Sequence, residues 1–152
     1  MYDEISELRL LQSQKSRLLE KEAVLSAPLL TDTGYIRAIC EWFAEIQAVS
    51  GMHHRLRSVH CRKQFILIVI FLYSPATLAG GRMLTGLRNK IAEAFDIRDV
   101  TFISHNIENI VFMYSNYKEF RSEVDHLFAG IMERLKREGI LLEKMKYPQP
   151  SP

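Results

Sequence analysis

The chain has 152 residues, 47% hydrophobic and 25% charged, with a formal net charge of +2. That length suits one domain with extensions, and only 7 Gly and 5 Pro argue against a β-rich or low-complexity chain. No membrane span is expected, because the longest apolar run, "FILIVIFLY" from Phe65 to Tyr73, falls well short of the roughly 20 residues a bilayer needs.

The opening "MYDEISELRLLQSQ" is acidic and polar and does not resemble a secretory leader, so the cytoplasm is the expected compartment. Asp3 to Leu25 reads as a polar helix with Leu11, Leu18 and Leu25 in register. Lys15 and Glu22 interrupt that seam, so any coiled coil here is weak. An arm packed on its own domain, a modest dimerisation helix and a contact for a protein partner all fit. "SAPLLTD" breaks the helix at Pro28, setting residues 1–28 apart.

Asp32 or Thr33 can cap a helix to about Val49, with Ile36, Ile39, Cys40, Phe43 and Ile46 on one face. The basic connection "SGMHHRLRSVH" leads to a helix from about Arg62 to Tyr73, apolar all round and therefore expected at the centre of the core. Ser74-Pro75 starts a turn that Gly80-Gly81 ends. Two short helices follow, Leu84–Phe95 and Val100–Ser115, joined by "DIRD" with Asp99 as a cap. Ile103, Ile107, Ile110, Val111 and Tyr114 line the second. A long amphipathic helix then turns Tyr117, Phe120, Val124, Leu127, Phe128, Ile131 and Leu135 inward. The fold class is all-α: a helix-turn-helix bundle of about five to six helices over residues 32–138, with an additional N-terminal helix. Residues 144–152, ending "YPQPSP", should be disordered.

Charge is segregated. From Gly51 to Lys90 there is no Asp or Glu, while Arg55, Arg57, Arg62, Lys63, Arg82, Arg88 and Lys90 all lie there. The remainder carries 13 basic against 18 acidic residues, so one positive face on an acidic body is expected, with chance clustering as the alternative. Chemistry is not in evidence. His53, His54, His60 and Cys61 match no closed zinc pattern, and Cys40 and Cys61 read as buried reduced thiols. No nucleophile elbow or phosphate loop occurs, so neither an enzyme, a cofactor nor a small-molecule substrate is expected.

"RLRSVHCRKQF", "LRNKIAEAF" and "DIRDVTFISHNIENI" together resemble the C-terminal duplex-binding domain of the bacterial replication initiator DnaA. Arg98, Asp99, Thr101 and His105 match that family's motif without a gap, and Ile103 replaces its valine. Phe95, Ile110, Arg57, Ser58, Val59 and Gln64 also fall in matching places, with Lys63 in that of an arginine. The likeness spans roughly Thr33 to Leu135, without the ATPase portion. It implies double-stranded DNA as partner. Arg98, Thr101 and His105 would meet phosphates and base edges, Arg57, Arg62 and Lys63 would form a basic arm, and Arg88 and Lys90 would clamp the backbone. Asp99 is either a base contact or a helix cap, and Phe102 either a thymine-methyl contact or a core side chain. The pattern departs at Asp96, Ile97, Val100, Phe102, Glu108 and Asn109, which leaves the target sequence open. Replication initiation, transcription control and a mobile element are all compatible settings. The rival reading is a protein-interaction or assembly module, for example in phage packaging or partition, that keeps the fold.

Overall fold

A computed structural model describes residues 1–52, 55–56 and 58–141 of the chain. Its elements are α1 (Tyr2–Ser26), a 3-10 turn (Thr33–Tyr35), α2 (Ile36–Val49), α3 (Val59–Tyr73), a second 3-10 turn (Pro75–Ala79), α4 (Leu87–Phe95), α5 (Thr101–Asn116) and α6 (Lys118–Arg137). No strand occurs among the described residues, and none of their helices is long and apolar enough to cross a membrane. The architecture is an all-helical bundle with an additional N-terminal helix.

The bundle is organised around α3, because an unbroken apolar run can satisfy itself only when partners cover every side of the helix. Phe65, Ile66, Ile68, Val69 and Ile70 are all fully or almost fully buried. α2, α4, α5 and α6 surround them. Phe65 stacks on Phe95 of α4 at 4.7 Å between centroids, and Phe43 of α2 meets both rings edge-on at 5.6 and 5.7 Å. One aromatic cluster thus ties three helices together, with a geometry that favours ring pairs beyond their burial alone. Both cysteines are free: Cys61 is buried and accepts from Gln47 Nε2, while half-buried Cys40 donates to the carbonyl of Ala94.

Two boundaries differ from the pattern-based reading. α3 begins at Val59, three residues before Arg62, because Ser58 caps it by accepting from the Cys61 N–H at 3.2 Å. α4 begins at Leu87 rather than Leu84, since Gly86 sits in the left-handed region at φ 84° and interrupts the helix there. Tyr117 is also not inward. It stands 52% exposed and meets the equally exposed Phe112 ring edge-on at 5.9 Å. The inward face of α6 begins at Phe120 instead.

The connection from α4 to α5 positions the candidate site. Asp96 closes α4 in the left-handed conformation (φ 55°, ψ 47°), the place glycine usually takes, and aspartate tolerates it better than most residues do. The Ile97 N–H then reaches back to Ala92 O at 2.9 Å, and the Ile97 side chain is buried. This is a Schellman-type closure with its hydrophobic contact. α5 leaves the turn at Thr101 and is secured at its far end by Arg121, which donates to the carbonyls of Tyr114 and Ser115.

α1 differs from the other helices in having no buried residue. α1 meets the body at the second 3-10 turn, and the first buried residue, Leu30, comes only after the helix, where the N–H groups of Leu29 and Leu30 both donate to Leu72 O and Tyr73 Oη donates to Asp32 O at 2.6 Å. His53, His54, Arg57 and the 144–152 tail, with the expectations placed on them, lie outside the described residues.

Candidate functional site

α5 shows solvent a ridge of Thr101, His105, Glu108 and Phe112, which recur at i, i+4, i+7 and i+11, with Ser104 and Asn109 exposed on its two flanks. Ile103 and Ile110, on the opposite side, are fully buried and hold the helix against the core. At about 1.5 Å per residue the helix is roughly 24 Å long, a rigid rod fixed at both ends.

The start of the rod is tightly organised. Asp99 Oδ1 accepts the Thr101 N–H at 3.0 Å and the Thr101 hydroxyl at 2.5 Å. The hydroxyl first, and the N–H second, hold the Asp99 carboxyl below its ordinary value, and nearby His105 adds a smaller pull in the same direction. Asp99 therefore acts as a local cap of α5, one position ahead of the Val100 that opens the helix. Thr101 has its hydroxyl proton committed to Asp99, which leaves the oxygen free to accept.

Cations reach α5 from three directions. On one flank Arg88 of α4 donates to Ser104 Oγ at 2.8 Å. On the other, Lys63 of α3 donates to Asn109 Oδ1 at 2.7 Å and lies 3.9 Å from Met113 Sδ. Below the start of the ridge, Arg62 and Arg98 line one surface concavity of about 430 Å³ together with Asp96, Ile97, Asp99 and Phe102. Arg98 is exposed. Half-buried Arg62 keeps its Nε buried without a hydrogen-bond partner among the described residues.

The structure therefore brings Arg62, Lys63, Arg88, Arg98, Asp99, Thr101, Phe102 and His105 around one helix. Phe102 is half-buried against the core and also lines the concavity, so it does both things its position allowed. Lys90 is not among them. Two residues from Arg88, about 200° around α4, its ammonium lies 3.9 Å from Glu93. Ser104 and Phe112 join the site although residue type did not single them out, and Asn109, expected only as a departure from the family pattern, joins it as the acceptor for Lys63. Only their spacing from Thr101 and His105 along an exposed helical face could have found them.

The ridge is not uniformly positive. Glu108 is its one carboxylate, and Asp96 and Asp99 stand at its base. His60, away from the ridge, lies 3.4 Å from Glu123 of α6 and beside Gln64, with its ring edge-on to Phe120. Among the described residues, no three His, Cys, Asp or Glu side chains are grouped to hold a metal. Comparison with protein families, with curated proteins and with solved structures finds no match for this chain.

Proposed function

We propose that this chain binds double-stranded DNA without catalysing a reaction on it, with α5 entering the major groove and the surrounding cations on phosphates. The observation that carries this reading is the convergence on α5 of Arg62 and Lys63 from α3, Arg88 from α4, and Arg98 from the turn. An α-helix fits the major groove of B-DNA, and phosphate contacts by cations on either side of it would fix its register. Thr101 and His105 sit on the exposed ridge where base edges would be. Arg62 lines the concavity at the foot of that ridge beside Arg98, where a phosphate would meet both side chains.

The reading draws on the resemblance to the DnaA C-terminal domain for the roles of Arg98, Thr101 and His105. Because Val100, Phe102, Glu108 and Asn109 depart from that pattern, phosphate clamping would dominate over base reading. The target sequence would not be that family's. A cytoplasmic protein serving replication initiation, transcription control or a mobile element fits this role.

The test is fluorescence anisotropy with a random-sequence duplex of about 30 base pairs, titrated at several salt concentrations, for wild type and Arg98→Ala. Binding at micromolar concentration or tighter is expected, weakening steeply with salt and loosened in the mutant. No binding even at low salt would overturn it. A second reading, a protein-interaction module that keeps the helix-turn-helix, is favoured by the exposed aromatic pair Phe112 and Tyr117 beside Glu108. Unchanged DNA affinity in Arg98→Ala would move the weight there.

A further inference from the structure

We infer that two copies of this chain associate through α1 as an antiparallel pair. α1 has 25 residues, none of them buried, and is about 37 Å long. Most helices in proteins draw their stability from packing an apolar face, and α1 buries no such face within its own chain. Leu8, Leu11, Leu18 and Leu25 are between 52% and 68% exposed and follow one another along a single stripe. Lys15 and Glu22 complete the three-four spacing of that stripe, and Ile5 and Leu19 flank it.

The two charges in the stripe choose the partner and its direction. In a parallel pair each seam residue faces its own copy, so Lys15 would meet the partner's Lys15 and Glu22 the partner's Glu22. Like charges so placed are unfavourable. In an antiparallel pair with Leu8 against the partner's Leu25, Leu18 faces the partner's Lys15 and Leu11 faces the partner's Glu22. Helical side chains lean toward the N-terminus of their own helix. Lys15 therefore leans toward the level of Leu11, where the partner's Glu22 leans back toward it. The axial offset between the two is about four residues, roughly 6 Å, which a lysine can span. Two-fold symmetry repeats the pair. The residues that spoil a parallel seam thus become two ion pairs across an antiparallel one, with leucines packed on either side.

This inference is independent of the DNA reading. It is tested by sedimentation equilibrium of the full chain between about 1 and 100 µM, a range that brackets micromolar association. Wild type is expected to dimerise. Leu18→Lys, which faces the partner's Lys15, should return the chain to monomer and leave thermal unfolding of the bundle in place, since Leu18 covers no core residue. Lys15→Glu and Glu22→Lys should each weaken the dimer by about tenfold or more, and the double variant should recover most of that loss. A monomer throughout the range would overturn the inference. So would a dimer indifferent to Leu18→Lys, or one that neither single charge swap weakens, which is the behaviour of a parallel seam.

Discussion

The Lys63 ammonium donates to Asn109 Oδ1 at 2.7 Å, so the second half of α5 receives from α3 a positive charge that its own sequence lacks. Positions 108 and 109 hold Glu and Asn where a DNA-binding helix would gain from cations. For the proposed DNA contact, judged from the helix alone, that would be a defect. In the folded chain Lys63 lies beside this segment and Arg88 bonds Ser104 on the other flank, so on that proposal the flanks would supply the cations that the ridge lacks.

Lys63→Ala and Arg88→Ala should each weaken duplex binding about equally across sequences, and each should lower the slope of log affinity against log salt by about 1. Lys90→Ala, whose ammonium pairs with Glu93 on the far side of α4, should leave that slope unchanged. Anisotropy titrations at four or so salt concentrations measure all three. A Lys90 effect as large as that of Lys63 would sink the assignment of α5 as the contacting helix.

Asp99 should govern the first turn of α5 in a pH-dependent way. Its folded value lies below the ordinary 3.8 because the Thr101 hydroxyl and N–H both favour the carboxylate. A lowered carboxyl stabilises the fold at pH above the unfolded value, and that stabilisation is lost as pH falls through the folded one. Thr101→Val should move the Asp99 titration upward, as followed by NMR. Asp99→Ala should speed amide exchange at Thr101 and Phe102 at neutral pH, leaving the rest of α5 unchanged.

Gly130 marks a close approach between α6 and α2. A Cβ built there would stand 2.6 Å from Ile46 Cδ1. Alanine gains about 1 kcal/mol of helix propensity over glycine, whereas overpacking costs typically 1–3 kcal/mol. Ile46 is only half-buried and Cδ1 is the far end of its side chain, so a rotamer change relieves part of the clash and Gly130→Ala should lose less than about 1 kcal/mol in chemical denaturation. In an Ile46→Val background, where Cδ1 is gone, the same change should be neutral or stabilising. The absence of this coupling would mean that the two helices separate freely at that point.

Tyr73 ties the segment after α1 to the end of the core helix through its bond to Asp32 O. Tyr73→Phe should cost about 1 kcal/mol, the net worth of one hydrogen bond. Burial, more than the neighbouring Asp32, pushes the phenol well above its ordinary value of 10.0. The unfolded chain therefore ionises first, and stability should fall as pH climbs above about 10. That alkaline loss should be shallower in Tyr73→Phe.

Much of the architecture was legible in the chain itself because its causes are local. The apolar run of α3 could end only in a core, and Asp99 beside Thr101 made a cap whatever surrounded it. The faces of α2, α5 and α6 followed from helical spacing. α3 starts at Val59 rather than near Arg62 for an equally local reason, the Ser58 side chain that caps it. Tyr117 came out exposed because α6 starts its inward face one turn later, a matter of where the preceding helix delivers the chain. What only the tertiary structure decided is which cations share a surface. Helical spacing already sets Arg88 and Lys90 about 200° apart on α4, but which of them faces α5 waits on how the two helices pack, and it is Arg88 that reaches Ser104. Lys63 and Asn109 lie 46 positions apart, and nothing along the chain pairs them. Such neighbours depend on how α3, α4 and α5 cross, and crossing angles are set by the packing of the whole core rather than by any one segment.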